Sequence, residues 1–251
     1  MSNQAAAQNS GIECPVCGGS GWKLYLSNVE GYDTPLEFAK PCPGCRGERR
    51  SHDRTGVPSQ FYEADLNKFR FDLYSRNMEK LEKLVKNFFN KFREWEKAGK
   101  GLYIWSKTPG SGKTFLSCCL GKSIMMKYDL RMRFITITDY LAAVGASYKR
   151  EQGAADESQI YLECNLLVFD DMGTQKSGEW QEQEIFRIVN ERLNAGKVTI
   201  YTANMPPEEL NVSDRTIDRL MKSCVVVQMP EESIRRKQAK AEQEDFLARM
   251  L

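Results

Sequence analysis

A chain of 251 residues has room for one large domain and a small appendage. Its 41% hydrophobic and 28% charged residues exclude collagen-like, mucin-like and wholly disordered chains. With 36 Lys and Arg against 34 Asp and Glu, the net charge is +2, so bulk electrostatics announces no nucleic-acid binder and any such surface must come from local clustering.

Residues 1–10 are small and polar and are expected to form a disordered lead-in. The stretch MSNQAAAQNSG has neither the basic start nor the apolar core of a secretory signal, and no apolar run approaches the ~18 residues of a membrane span. A cytoplasmic chain with no membrane partner is expected. Residues 11–54 are rich in Gly, Pro and Cys, and GWKLYLSNV and PLEFAK read as short strands around a turn at Glu30-Gly31. Two Cys-Pro-x-Cys units flank them, Cys14/Cys17 and Cys42/Cys45, separated by 24 residues. Such turns bring backbone N–H groups close to the thiolate sulfurs. Four thiolates close a tetrahedral site, so structural zinc is the expected ligand. Metal binding worth ~10–16 kcal/mol would offset the small core that this unit can build. A disulfide framework does not suit an intracellular chain of this size, and twin redox motifs fit less well because the two units duplicate each other. His52 reads as a loop residue rather than a fifth ligand. The cluster Arg46, Arg49, Arg50 and Arg54 permits contact with nucleic acid.

Residues 55–100 read as a linker and one amphipathic helix, Asn77 to Lys97, with Leu81, Leu84, Val85, Phe88, Phe89, Phe92 and Trp95 on its inner face. From residue 101 to 251 the texture becomes short apolar runs alternating with helical stretches. The runs are GLYIW (101–105), FITIT (134–138), LLVFD (166–170), VTIYTAN (198–204) and CVVVQM (224–229). Helices are expected over Thr114–Tyr128, Asp139–Lys149, Glu179–Asn194 and Ser213–Ser223. This alternation predicts an α/β fold with a mainly parallel five-stranded sheet flanked by helices. Cys118, Cys119, Cys164 and Cys224 read as buried small hydrophobes.

Between the first run and its helix lies Lys107-Thr108-Pro109-Gly110-Ser111-Gly112-Lys113-Thr114, a strand, Gly-rich loop and helix in P-loop order. Gly110 and Gly112 let the backbone of Pro109 to Gly112 wrap closely around phosphate at a helix N-terminus. Lys113 would meet the outer phosphates of ATP and the Thr114 hydroxyl would hold Mg²⁺. Lys107 stands where the motif has its first Gly, which predicts an altered start to the loop with phosphate binding retained. The run ending in Asp170-Asp171 follows Lys113 by 57 residues. Asp170 is placed to bind magnesium and Asp171 to orient the water attacking the γ-phosphate. Asn204, ending another run, is placed to touch the γ-phosphate or that water; an ordinary turn residue is the alternative.

In this order, GLYIW…PGSGKTFL, LLVFDDMG followed by IFRIVNERL, TIYTAN, DRTIDRL and EESIRRK resemble the AAA+ ATPases, and among them the DnaC/DnaI-type replicative helicase loaders with their IstB-like relatives. The resemblance covers roughly residues 56–240, and the cysteine module is similar to the DnaI-type branch. It implies Walker A at Lys113 and Thr114, Walker B at Asp170 and Asp171, and sensor 1 at Asn204. It further implies an arginine finger at Arg219, with Arg215 one turn earlier as the substitute, and a sensor 2 arginine at Arg235, with Arg236 beside it. The implied partners are a hexameric replicative helicase, single-stranded DNA and further copies of the chain joined through the ATP sites. Lys149 and Arg150 fall where relatives touch DNA, although an exposed basic helix end explains them equally. Gly56 to Phe61 resembles the segment preceding the family's core, where it would border the adenine. Asp171 stands where most AAA+ enzymes have Glu, which predicts slow hydrolysis used as a switch, and the short tail predicts a C-terminal lid reduced to little more than one helix. A transposition helper of the IstB type is the second reading, and a small-molecule P-loop kinase the third.

Overall fold

Short stretches of branched and aromatic residues make two N-terminal strands, β1 (Trp22–Ser27) and β2 (Leu36–Pro41), which pair antiparallel with Trp22 opposite Pro41. Tyr25 and Phe38 face each other across the pair, ring centroids 5.9 Å apart, and Lys40 Nζ lies 4.9 Å over the tyrosine ring. Leu24 and Leu26 stay exposed. A two-stranded ribbon of this kind is marginal in water by itself. The computed structural model describes residues 16, 22–27, 34–41, 55–147, 157–175 and 178–250. It divides into two units, Met1–Thr55 and Gly56–Leu251. The lead-in, the turn at Glu30-Gly31, Cys14, Cys17, Cys42 and Cys45, the basic cluster with His52, and Lys149 and Arg150 lie outside the described residues.

In the second unit the apolar runs form β3 (Gly101–Trp105), β4 (Met132–Thr136), β5 (Leu166–Met172), β6 (Val198–Ala203) and β7 (Cys224–Gln228). Their order is β4-β5-β6-β3-β7, and every pair is parallel. Alternate side chains of each strand enter opposite layers. Leu102 and Ile104 pack with Phe88, Phe92, Leu116 and Ile124 on one face, while Tyr103 packs with Tyr201, Phe169, Tyr140 and Ile188 on the other. The first layer is roofed by α1 (Glu79–Asn90), α2 (Phe92–Lys97) and α3 (Lys113–Tyr128), the second by α4 (Ile137–Ser147), α5 (Gln159–Glu163), α6 (Glu179–Asn194) and α7 (Asp214–Ser223). One helix, α8 (Ile234–Met250), follows β7. No helix among the described residues is long and apolar enough to cross a membrane.

Two sequence expectations need correction. The single helix over Asn77–Lys97 is two, broken at Lys91 (φ −112°, ψ 27°). A straight helix would set Phe88 and Trp95 about 10 Å apart along its axis. The break brings their rings edge-to-face at 5.0 Å, with Trp95 Nε1 donating to Asn87 Oδ1 at 3.0 Å. The run FITIT is also out of step by two residues, because α4 begins at Ile137. There the Thr136 hydroxyl accepts from the Asp139 N–H at 3.1 Å and donates to Asp139 Oδ2 at 2.8 Å, a capping arrangement that ends the strand early. The four remaining cysteines are buried free thiols, and desolvation pushes Cys119 and Cys224 up to about 12, outside the reactive range.

Candidate active site

The carboxyl ends of β3, β5 and β6 meet the N-terminus of α3, the position where parallel α/β sheets hold ligands. The loop between β3 and α3 turns on Gly110 (φ 77°) and Gly112 (φ 94°). A Cβ on Gly112 would lie 2.6 Å from the Tyr74 hydroxyl, and one on Gly110 2.9 Å from Arg235 Cβ, so only glycine fits either place. The Tyr74 hydroxyl donates to the Ser111 carbonyl at 2.7 Å and fixes the far side of the loop. Lys113 is buried, and its ammonium donates to the carbonyls of Ser106 (3.2 Å) and Thr108 (3.3 Å) and to Ser111 Oγ (3.2 Å). Desolvation lowers its pKa, while the charges of Asp171, Glu231 and Asp170 act the other way. An anion in the loop would replace those neutral carbonyls with a charge-assisted partner.

Asp170 is buried at the end of β5 and accepts from the Thr114 hydroxyl at 3.0 Å and from the Thr202 hydroxyl at 2.5 Å. Burial pushes its pKa up to about 6, against the opposing hydrogen bond from Thr202. Thr114 and Asp170 thus sit side by side, a hydroxyl and a carboxylate from different elements, which is the oxygen donor set that magnesium takes. Asp171 follows in the left-handed region (φ 58°) at a shift of register between Phe169 and Met172. Such backbone costs of order 1–3 kcal/mol in a non-glycine residue and must be held by its surroundings. Here the Asp171 N–H donates to Thr202 Oγ1 at 3.0 Å. Thr202 therefore holds the carboxylate of Asp170 and the backbone of Asp171, a role the sequence alone does not show. The pairing Val168↔Ile200 and Phe169↔Tyr201 brings Thr202 beside Asp170 where the register begins to shift, so strand pairing is the signal that finds it.

A cavity of about 580 Å³ joins these parts and is lined by Pro109, Gly110, Ser111, Gly112, Lys113 and Thr114, with Asp171, Asn204 and Arg235. Its volume is that of a site for a nucleotide-sized ligand. Phe61, Phe69, Tyr74 and Phe115 supply an aromatic wall, with Phe115 5.8 Å from Phe61 and 6.0 Å from Phe69 between ring centroids. Of these four rings only Phe61 lies in a segment singled out from the sequence; the others come from a linker and from the helix core, where aromatic residues ordinarily signal packing. Arg235 enters the cavity from the first turn of α8, its N–H donating to the Gly110 carbonyl at 3.2 Å, whereas Arg236 is exposed and does not line it. Arg219 and Arg215 are not brought into this cavity. Both lie on α7, where the Arg215 guanidinium sits 4.4 Å over the Phe186 ring. The Arg219 side chain has no hydrogen-bond or ion-pair partner among the described residues.

Residues 72–242 match the family model described as IstB-like ATP binding protein. The replicative helicase loader DnaC of Escherichia coli (strain K12) is 25% identical over 122 residues, 47% of this chain and 49% of that protein. The chain thus spans about half the length of the curated relatives it matches first. The crystal structure of the DnaC helicase loader aligns with a TM-score of 0.61 at 21% identity, covering 69% of this chain and 100% of that one. The crystal structure of DnaI also gives 0.61, at 17% identity, covering 70% of this chain and 96% of that one. At these identities the likeness establishes the fold alone, a parallel α/β core flanked by helices.

Proposed function

The chain belongs to the family of IstB-like ATP-binding proteins, and from that premise we propose that it is an ATP-dependent loader of a hexameric replicative helicase onto single-stranded DNA. The observation that carries the ATP part is the convergence of Lys113, Thr114, Asp171, Asn204 and Arg235 on one cleft, with Asp170 buried behind Thr114 and bonded to its hydroxyl. Lys113 and the loop N–H groups hold the β- and γ-phosphates, and the aromatic wall takes the base. Thr114 and Asp170 hold Mg²⁺, which when bound would neutralise charge on the phosphate oxygens. Asp171 orients the attacking water, with Asn204 on the γ-phosphate side and Arg235 closing over the phosphates. Asp171 is one methylene shorter than the usual glutamate, so it holds the water less closely and hydrolysis is slow. ATP binding joins copies of the chain, with Arg219 of one completing the site of the next, and hydrolysis releases the helicase.

The loader reading is supported by the similarity to DnaC. The match to IstB-like ATP-binding proteins keeps a transposition helper of the IstB type as the second reading. Zinc on Cys14, Cys17, Cys42 and Cys45 belongs to the same proposal, resting on their spacing, and elemental analysis tests it by looking for one zinc per chain. The register of β1 and β2 brings the chain into and out of the ribbon at one end, and the cysteine pairs flank that end in sequence. The loader reading is tested by mixing the purified chain with a replicative helicase from the same cell. Expected is a complex formed with ATP and Mg²⁺ and dissolved as ATP is consumed. No complex with or without ATP, together with ATP-dependent capture of duplex DNA, would favour the transposition reading.

A further inference from the structure

Lys107 stands where a P-loop begins on glycine, and its backbone stays out of the left-handed region. The start of the loop is held from the connector between β7 and α8. Glu231 Oε1 accepts the Lys107 N–H at 3.0 Å. Its Oε2 accepts the Thr108 N–H at 2.8 Å, the Thr108 hydroxyl at 2.8 Å and the Ser106 hydroxyl at 3.1 Å. One carboxylate thus gathers four donors from three consecutive loop residues. Burial would raise the pKa of Glu231, but these hydrogen bonds prevail and it stays below the usual carboxylate range. The Lys107 side chain is drawn away from the loop by Glu209, 2.9 Å from its ammonium. The next residue, Glu232, accepts from the Ser75 N–H at 3.1 Å and the Ser75 hydroxyl at 2.9 Å, beside Tyr74 with its bond to Ser111. Lys237, one turn into α8, lies 2.6 Å from the same carboxylate. Beyond its first residue, α8 is exposed along its length, so these bonds and that from Arg235 to Gly110 are what seat it.

We propose that Glu231 and Glu232 form a clasp that holds the P-loop, the aromatic wall and the first turn of α8 together as a preformed ATP cleft, with Glu231 restraining the start of the loop at Ser106, Lys107 and Thr108. Glu231 is a positioning residue: it faces the outside of the loop and acts on phosphate through the loop N–H groups. The inference rests on the ATP reading for its ligand and on the loop geometry for its mechanism, so two measurements separate them. In the nucleotide-free chain, amide hydrogen exchange at Lys107 and Thr108 should quicken at least tenfold in Glu231→Ala, with exchange in β5 and β6 unchanged. In titrations with Mg·ATP, Glu231→Ala should bind at least tenfold more weakly. Glu231→Gln, which keeps one acceptor oxygen, should lose about threefold, and Glu232→Ala should fall between them. KM for ATP should rise in parallel while kcat at saturation stays within twofold. Unchanged affinity and KM in folded Glu231→Ala, with only a lower melting temperature, would overturn the clasp. So would unchanged exchange at Lys107 and Thr108. Faster exchange in the variant combined with no ATP binding by the wild type would keep the loop clamp and overturn its link to ATP.

Discussion

Arg219→Ala is expected to lower ATP turnover about 10³-fold while leaving the ATP affinity of the isolated chain unchanged, the behaviour of a finger supplied in trans. Arg219 is outside the cavity of its own chain and its side chain has no partner among the described residues. A cation placed in that way contributes to chemistry only if a neighbouring copy presents its nucleotide to α7. Arg215 is occupied by the Phe186 ring, a contact worth about 0.5–1 kcal/mol where exposed, and Arg215→Ala should change turnover less than threefold. Mixing two inactive variants tests the geometry. Lys113→Ala chains keep the finger and Arg219→Ala chains keep the ATP site, so a mixture should regain activity at the interfaces that join one of each. A mixture as inactive as its parts would exclude the trans arrangement, and a large loss in Arg215→Ala would move the finger one turn.

The second large effect is on stability. Arg192, in the last turn of α6, is 1% exposed and pairs with no carboxylate among the described residues. Its guanidinium instead donates to the carbonyls of Tyr161 (2.6 Å), Cys164 (3.1 Å) and Val198 (2.6 Å) and to Thr199 Oγ1 at 2.9 Å. These acceptors lie at the end of α5, just before β5, and at the start of β6, so one side chain ties together the elements that carry Asp170 and Thr202. Burying the cation is costly, and the hydrogen bonds offset that cost only while all of them are made. Arg192→Ala leaves several buried carbonyls without donors and opens a cavity, and should destabilise the second unit by about 3–5 kcal/mol in urea unfolding. Arg192→Lys keeps the charge but cannot span the same acceptors and should lose a large part of that amount. A loss below about 1 kcal/mol in the alanine variant would mean that water or neighbouring donors take over the carbonyls.

What could be read from the sequence follows from which signals are local. The five apolar runs announced the parallel sheet because a strand buried on both faces needs an unbroken row of Val, Ile, Leu or Phe. Gly110, Gly112 and Lys113 were legible because a phosphate loop fixes their spacing along the chain. Thr202 was not, since its meaning depends on lying beside Asp170 in the neighbouring strand. Glu231 was hidden for the same reason: it sits 124 residues from Lys107, in a stretch that reads as surface charge. The break at Lys91 escaped because both helices keep one apolar face and the periodicity hardly changes. Phe69 and Phe115 could not be told from core residues until the cavity gave them a side to face.

The most direct measurement of the central claim is a calorimetric titration of Mg·ATP into the folded full chain and into Lys113→Ala. The account predicts saturable one-to-one binding by the wild type and at least a hundredfold loss in the variant, because a buried ammonium in contact with phosphate is a charge-assisted partner worth about 3 kcal/mol. Absence of binding by folded wild-type protein, or equal binding by the two chains, would contradict it.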